Sequence, residues 1–450
     1  MAVSETPQTS TSPPADAVPR QRLLARLLRP RFRTMVGLFC LLLFGGFGFF
    51  VLYPQLRAVY HWRLARKALD RDDLPAAQEH LKYCAQGWPD SGEVQFLMAR
   101  TCRRGGDFAE ARAHLQEADR LRWDKGLVDL EYYLMEAQAG MVGPVEKKLE
   151  RYLATRPGEE EIILEGLAIG YLQVNLLEEA YNSNSYWLER HPENWQPWFW
   201  QGRILESGAR YDQAAEAYKH ALERKPEHLE SHFHLAHVLL WRGRYPEALP
   251  HFQAYLQSNP QHPAALLGLA RCQRVVASPE TALATLEQLL SQGKDEAGGF
   301  LLRGQLEMDL DHPEEALSWL RRAERLAPQD MDTNQALATV LRRLKKEPEA
   351  RIYERKRLQI QQDIKRIEAI LQEIPQSPRD VALRYEAGTI LMKLRQDQEA
   401  SRWLLSVLLL DPNHQLARKA LTDCFRRSGD PKLVASYRRI LESGRDHSVK

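Results

Sequence analysis

Arg66, Arg100, Arg203 and Arg271 each directly follow a small residue of one recurring series: Ala65, Ala99, Gly202 and Ala270. A guanidinium offers five donors in a rigid fork, which suits carboxylates and an extended acidic peptide. Aromatic side chains interleaved with such forks supply pockets for apolar anchors. The competing reading is that arginine is abundant in this chain and simply solvates helical faces. Histidines are densest at His228, His232, His234 and His237, one helical turn apart in pairs. A metal needs three or four ligands converging with outer-shell support. His232 falls at a large core position and the others read as solvated or groove-lining, so no metal is expected here. The run Glu159-Glu160-Glu161 reads as acids favoured by a helix N-terminus. No C-x-x-C, H-E-x-x-H, phosphate-loop, G-x-G-x-x-G or G-x-S-x-G arrangement is present in a fitting context. Neither a cofactor nor an enzymatic reaction is expected.

The 450 residues carry a net charge of +2, too near zero for a nucleic-acid binder, and 44% are hydrophobic, ample for a core. Of five cysteines, Cys40 lies in an apolar run, and Cys84, Cys102, Cys272 and Cys424 fall at or beside helix-packing positions. They read as small buried hydrophobes, with a Cys84–Cys102 disulfide as the alternative.

What positions the arginines is a repeated helical hairpin. In the stretch Trp198 to Pro226, Trp198, Gly202 and Leu205 recur at helical spacing, as do Tyr211, Ala214, Tyr218 and Ala221. Gly208 is the expected pivot between the two helices, and Pro226 ends the second. The small residue of the second helix recurs as Ala77, Ala111, Val145, Ala180, Ala214, Ala248, Ala282, Ala316, Ala350, Ala400 and Val434. The intervals are 34 or 35 residues except for one of 50 after Ala350. Closing prolines fall in phase at Pro89, Pro157, Pro192, Pro226, Pro260, Pro328 and Pro412.

This pattern resembles the tetratricopeptide-repeat family over roughly residues 58 to 445. The resemblance implies an all-α fold: a right-handed α-solenoid of about eleven helical pairs, preceded here by one transmembrane helix. It also implies that the first helices line a concave surface where ligands bind. Carried onto this sequence, the inward positions are Trp62, Arg66, Phe96, Arg100, Arg103, Arg104, Phe199, Arg203, Phe233, His237, Arg271, Arg274, Arg342 and Arg343. None is expected to be a packing residue. The asparagines with which some members clamp a terminal carboxylate are absent from these positions.

The 50-residue interval predicts one long helix from Glu349 to Ile374, ended by Pro375 and Pro378. Tyr353, Ile360, Ile364, Ile367, Leu371 and Ile374 follow coiled-coil spacing, so the helix either supports self-association or packs on the repeat that begins near Asp380. The third repeat is the most degenerate, with Tyr133 in the small-residue place.

Residues 1–34 read as a disordered Ser/Thr/Pro tail with a basic flank, and 35–53 as a signal anchor. The anchor, Met35 to Tyr53, has nineteen residues and no charge. An array over 58–345, the long-helix segment 346–379, C-terminal units over 380–445 and a short tail 446–450 complete the organisation. Six arginines between Arg20 and Arg33 put the tail in the cytoplasm of a bacterial-type inner membrane and the solenoid outside it. The expected function is a membrane-tethered scaffold that binds protein or acidic peptide partners in a basic, aromatic-studded groove to organise a membrane-associated complex. The alternative is a structural component of an envelope or secretion assembly acting through self-association.

Overall fold

The computed structural model describes residue 35, residues 53–293 and residues 296–428. The interior of the expected span and the second helix expected around Val434 lie outside the described residues, as does the tail 1–34. No helix among the described residues is long and apolar enough to cross a membrane.

The described residues form α-helices with two short 3-10 turns and no strand. They fall into two compact units, 1–132 and 133–450. The first holds α1 (53–70), α2 (Leu74–Gly87), α3 (Gly92–Arg104), α4 (Phe108–Arg120) and the start of α5 (Lys125–Gln138). The division therefore falls within the repeat in which Tyr133 takes the small-residue place. The second unit continues with α6 (Val142–Thr155), α7 (Glu160–Gln173), α8 (Leu177–Arg190), α9 (Trp195–Ser207), α10 (Tyr211–Arg224), α11 (Leu229–Trp241) and α12 (Tyr245–Ser258). Then come α13 (Pro263–Val276), α14 (Pro279–Leu290), α15 (Ala297–Asp309), α16 (Pro313–Leu326) and α17 (Met331–Arg343). The long helix is α18 (Glu347–Glu373), followed by α19 (Val381–Lys393), α20 (Asp397–Leu410) and α21 (Gln415–Ser428).

The pair α9–α10 shows how a repeat is made. Asn194 caps α9 by accepting from the Gln196 N–H at 3.0 Å. The helix closes with the Arg210 N–H on the Leu205 carbonyl and the Ala209 N–H on that of Glu206, a Schellman arrangement. The expected pivot, Gly208, has an ordinary φ of −86°, and Ala209 takes the left-handed conformation at 55°. The helical turn needs its positive φ one residue later than the glycine. The same turn recurs at Asp72, Asn175, Asp311, Lys345 and Arg395, and as glycine at Gly106, Gly140 and Gly243.

Packing within the pair depends on Gly202, where an added Cβ would lie 2.5 Å from the Tyr218 ring. Tyr218 is thereby fully buried with Ala214 and Ala221, and a side chain of this size contributes about 1.5–3 kcal/mol on burial. One hydrophobic cluster runs from Phe199 through Tyr218, Leu235 and Phe252 to Cys272, so neighbouring pairs share a core.

The long helix starts at Glu347, with Pro348 in the first turn where no N–H is needed. Its apolar seam packs inside the chain. Ile360, Ile370 and Ile374 are buried, and Ile367 and Leu371 lie against a cluster containing Ala387, Leu391 and Trp403. The Tyr353 hydroxyl donates to Glu324 at 2.9 Å. Of the two readings of the seam, these contacts show the packing on the repeat that begins near Asp380, with Tyr353 and Ile364 half-buried.

The C-terminal repeats also return to an earlier part of the second unit. Arg384 is fully buried and donates to the Asn175 carbonyl at 2.9 Å and to the Pro378 carbonyl at 3.1 Å. Nearby, Arg379 approaches Glu179 at 3.9 Å.

Candidate protein-binding face

The first-helix arginines are mostly engaged with acids, many of them on adjacent repeats. In the first unit Arg66 meets Glu93 at 3.1 Å, and Arg104 meets Asp72 at 2.7 Å. Arg100 and Arg103 share Glu131, at 2.5 and 2.6 Å. Arg103 is 2% exposed and Phe96 4%. Both are packing residues, contrary to the expectation that they face a groove. Two guanidiniums hold the Glu131 carboxyl below its usual range, although its complete burial acts in the opposite direction. Arg66 lies over the half-buried Trp62 ring, and Arg100 over Phe96.

In the second unit Arg274 makes a two-pronged pair with Asp309, at 2.6 and 3.1 Å, and adds Gln305 at 2.9 Å. Arg343 pairs with Asp311, Arg342 with Glu354 at 3.4 Å, and Arg203 stands 4.0 Å from Glu206. Phe199 is buried among Trp195, Tyr218 and His228, which removes it too from the open face. Phe233 is half-buried against Tyr255 and His262.

Arg271 stands apart. Among the described residues it has no hydrogen bond and no ion pair. It lines a cleft of about 350 Å³ with Trp241, Tyr245, Arg274, Val275 and Asp332. A second cleft of about 360 Å³, reaching Met308, Thr339 and Arg343, shares Arg274, Gln305 and Asp332 with the first. Trp241 is 64% exposed and Val275 57%, and they occupy the same place one repeat apart. Gly298 keeps the space beside Arg271 clear, since a Cβ there would lie 2.7 Å from Leu267 and 3.7 Å from the Arg271 guanidinium. The stretch from Trp241 to Arg343 thus offers one fork that makes no hydrogen bond or ion pair among the described residues, two exposed apolar side chains and a row of amide and hydroxyl groups. Burial pushes the Asp332 carboxyl up, with Asp330 adding to the shift and Arg271 opposing it.

The histidines do not converge on a common point. His228 caps α11 by accepting from the Ser231 N–H, and burial pulls it down to about 3. His232 meets His251 at 2.8 Å. His234 and His237 both reach Glu206 at 3.0 Å, and Tyr218 donates to the same carboxylate at 2.6 Å. Cys84 and Cys102 are free thiols, so the disulfide alternative is excluded; Cys84 faces the Ala58 carbonyl at 3.6 Å.

Sequence reading identified Arg271 and Arg274 but missed Trp241, Val275, Gln305 and Asp332. A register signal existed: Trp241 and Val275 put large apolar residues where the neighbouring repeats have Ser207 and Asp309.

Solved structures similar to this chain include a tetratricopeptide repeat protein from Parabacteroides merdae, at 18% identity over 64% of this chain and 99% of that one, TM-score 0.32. PilF of Pseudomonas aeruginosa is 15% identical over 64% of this chain and 99% of its own, TM-score 0.29. YrrB, described as a repeat protein with an unusual peptide-binding site, is 21% identical over 46% of this chain and 99% of its own, TM-score 0.26. No curated protein matches the sequence. Three tetratricopeptide-repeat models match residues 185–228 and 201–263, 68–122 and 242–306, and 360–443. Together with the phased helical pairs, these matches make the chain a member of the tetratricopeptide-repeat family.

Proposed function

We propose that this protein is a membrane-tethered scaffold that captures a protein partner on the first-helix face between Trp241 and Arg343. The observation that carries the reading is the Arg271 fork, without a hydrogen bond or ion pair among the described residues, beside exposed Trp241 and Val275. Its complement is an extended segment bringing one carboxylate to Arg271 and apolar side chains to Trp241 and Val275. The other arginines contribute less, since each would have to exchange an existing partner. Exposed pairs such as Arg66–Glu93 contribute only about 0–1 kcal/mol, so that exchange is cheap but brings little gain. The role is binding rather than catalysis.

Tethering rests on the uncharged run Met35 to Tyr53, long enough to span a hydrocarbon core at about 1.5 Å per residue. The six arginines before it favour a cytoplasmic tail, with the repeats outside the cytoplasm of a bacterial-type inner membrane.

The full chain in detergent, used to select from a library of random peptides, tests the face. Peptides pairing an acid with neighbouring aromatic or aliphatic residues are expected to be enriched. Arg271→Gln and Trp241→Ala should each weaken them about tenfold, or 1.4 kcal/mol. Enrichment that neither substitution affects would place binding elsewhere. Resistance of the full chain to carbonate extraction tests the tether.

A further inference from the structure

Cys102, near the end of α3, meets Glu110 and His114, which lie one turn apart on one face of α4. Their ligand atoms all lie within 4.8 Å of one another, and His114 Nε2 is 3.8 Å from Glu110 Oε1. We propose that these three residues form a site for a divalent, borderline-soft cation of the zinc class, held by one thiolate, one carboxylate and one imidazole.

Bonds of about 2.0–2.3 Å in a tetrahedron put neighbouring ligand atoms roughly 3.3–3.8 Å apart. Side-chain adjustments of about 1 Å or less therefore complete the geometry. Two further contacts point the same way. His114 Nδ1 lies 2.7 Å from the Gln95 amide oxygen. An oxygen there accepts, so Nδ1 carries the proton and the Nε2 lone pair is directed to the Glu110 side. That outer-shell arrangement is the one that orients metal-bound histidines. On the other side, Gln78 Nε2 stands 3.7 Å from Cys102 Sγ and 3.3 Å from a Glu110 oxygen. An amide donor thus bridges the two anionic ligands, and on rotation it presents its oxygen as a fourth ligand.

Charge is balanced, because one thiolate and one carboxylate neutralise a divalent ion beside a neutral imidazole. Burial first, then the Glu110 carboxylate, pushes the Cys102 thiol up to about 12. Binding must break the S–H bond as the metal–sulfur bond forms, and the proton leaves to solvent. Lys82 is the nearby cation and Asp107 a further nearby anion. The ion would tie α3 to α4 across the hairpin. This site is independent of the Trp241–Arg343 face.

The test uses the untagged, reduced full chain in detergent, stripped with a chelator and titrated with Co²⁺ as an optical probe. One cobalt per chain is expected, with a near-ultraviolet thiolate-to-cobalt band that Zn²⁺ abolishes. Cys102→Ser should remove that band, and both it and His114→Gln should weaken binding at least tenfold, while Cys272→Ser should change nothing. Circular dichroism checks that each variant stays helical. If Cys102→Ser unfolds, His114→Gln, at a side chain 19% exposed, still reports the loss of affinity. A wild-type titration without the thiolate band, or equal affinity in His114→Gln, overturns the proposal.

Discussion

Ala209 holds a left-handed φ of 55° in a turn that several other repeats close with glycine. That conformation costs an L-residue roughly 1–2 kcal/mol, partly offset by the greater freedom of glycine in the unfolded chain. Ala209→Gly should therefore stabilise the protein by up to about 1 kcal/mol, read as a higher urea midpoint. An unchanged or lower midpoint would show that the turn carries no strain. His228 gives a prediction in pH. Its folded value near 3 lies below the ordinary 6.5, so the unfolded chain takes up the proton first. The stabilisation is complete above about pH 6.5 and declines as pH falls from there towards 3. His228→Asn keeps a capping side chain that does not titrate. Its urea midpoint should drop less between pH 7 and pH 5 than that of the wild type, with a remainder from His251, which burial pulls down to about 4. Equal drops would remove His228 as a contributor.

The helical pairs themselves were legible in the sequence, since each is set by a local rule: small residue, cap, turn and proline. Gly202, Ala214 and Tyr218 announce their packing within a window of about one repeat. The fate of the arginines was not legible. Arg103 and Arg274 find Glu131 and Asp309 on neighbouring first helices, 28 and 35 residues away, and no periodicity distinguishes a paired guanidinium from a free one. Burial inverted the expectation for Arg103, so neutralising it with glutamine is not a mild surface change. Glu131→Gln should be costly as well. It leaves the Arg103 charge buried without its counter-ion, a situation that costs about 3–5 kcal/mol, and the loss should be seen in denaturant melts of the full chain. A change below about 1 kcal/mol would mean that water or another acid reaches Arg103. The long helix was legible in extent, because the absence of Gly and Pro from Glu349 to Ile374 is a local signal. What covers its seam was open between the repeat near Asp380 and a second chain, because coiled-coil spacing serves both.

At the scale of the molecule, the least legible contact joins Arg384 to Asn175, 209 residues apart. A hydrogen bond from a charged donor contributes about 1.5–3 kcal/mol, and Arg384→Met would also strand the Pro378 and Asn175 carbonyls. Hydrogen exchange should accelerate in 381–428 and around Asn175 while leaving 211–343 nearly unchanged. Uniform acceleration throughout the second unit would instead mean that its repeats unfold as one body. The contact also has a consequence during synthesis. At about 5–20 residues per second, Arg384 is made roughly 10–40 s after Asn175. Through that interval the 142–190 hairpins have already been made, but the repeat that will cover Asn175 does not yet exist. The edge of a nascent array is then exposed to chaperones or to a neighbouring chain on the same message, and Arg384 arrives as a late competitor for it.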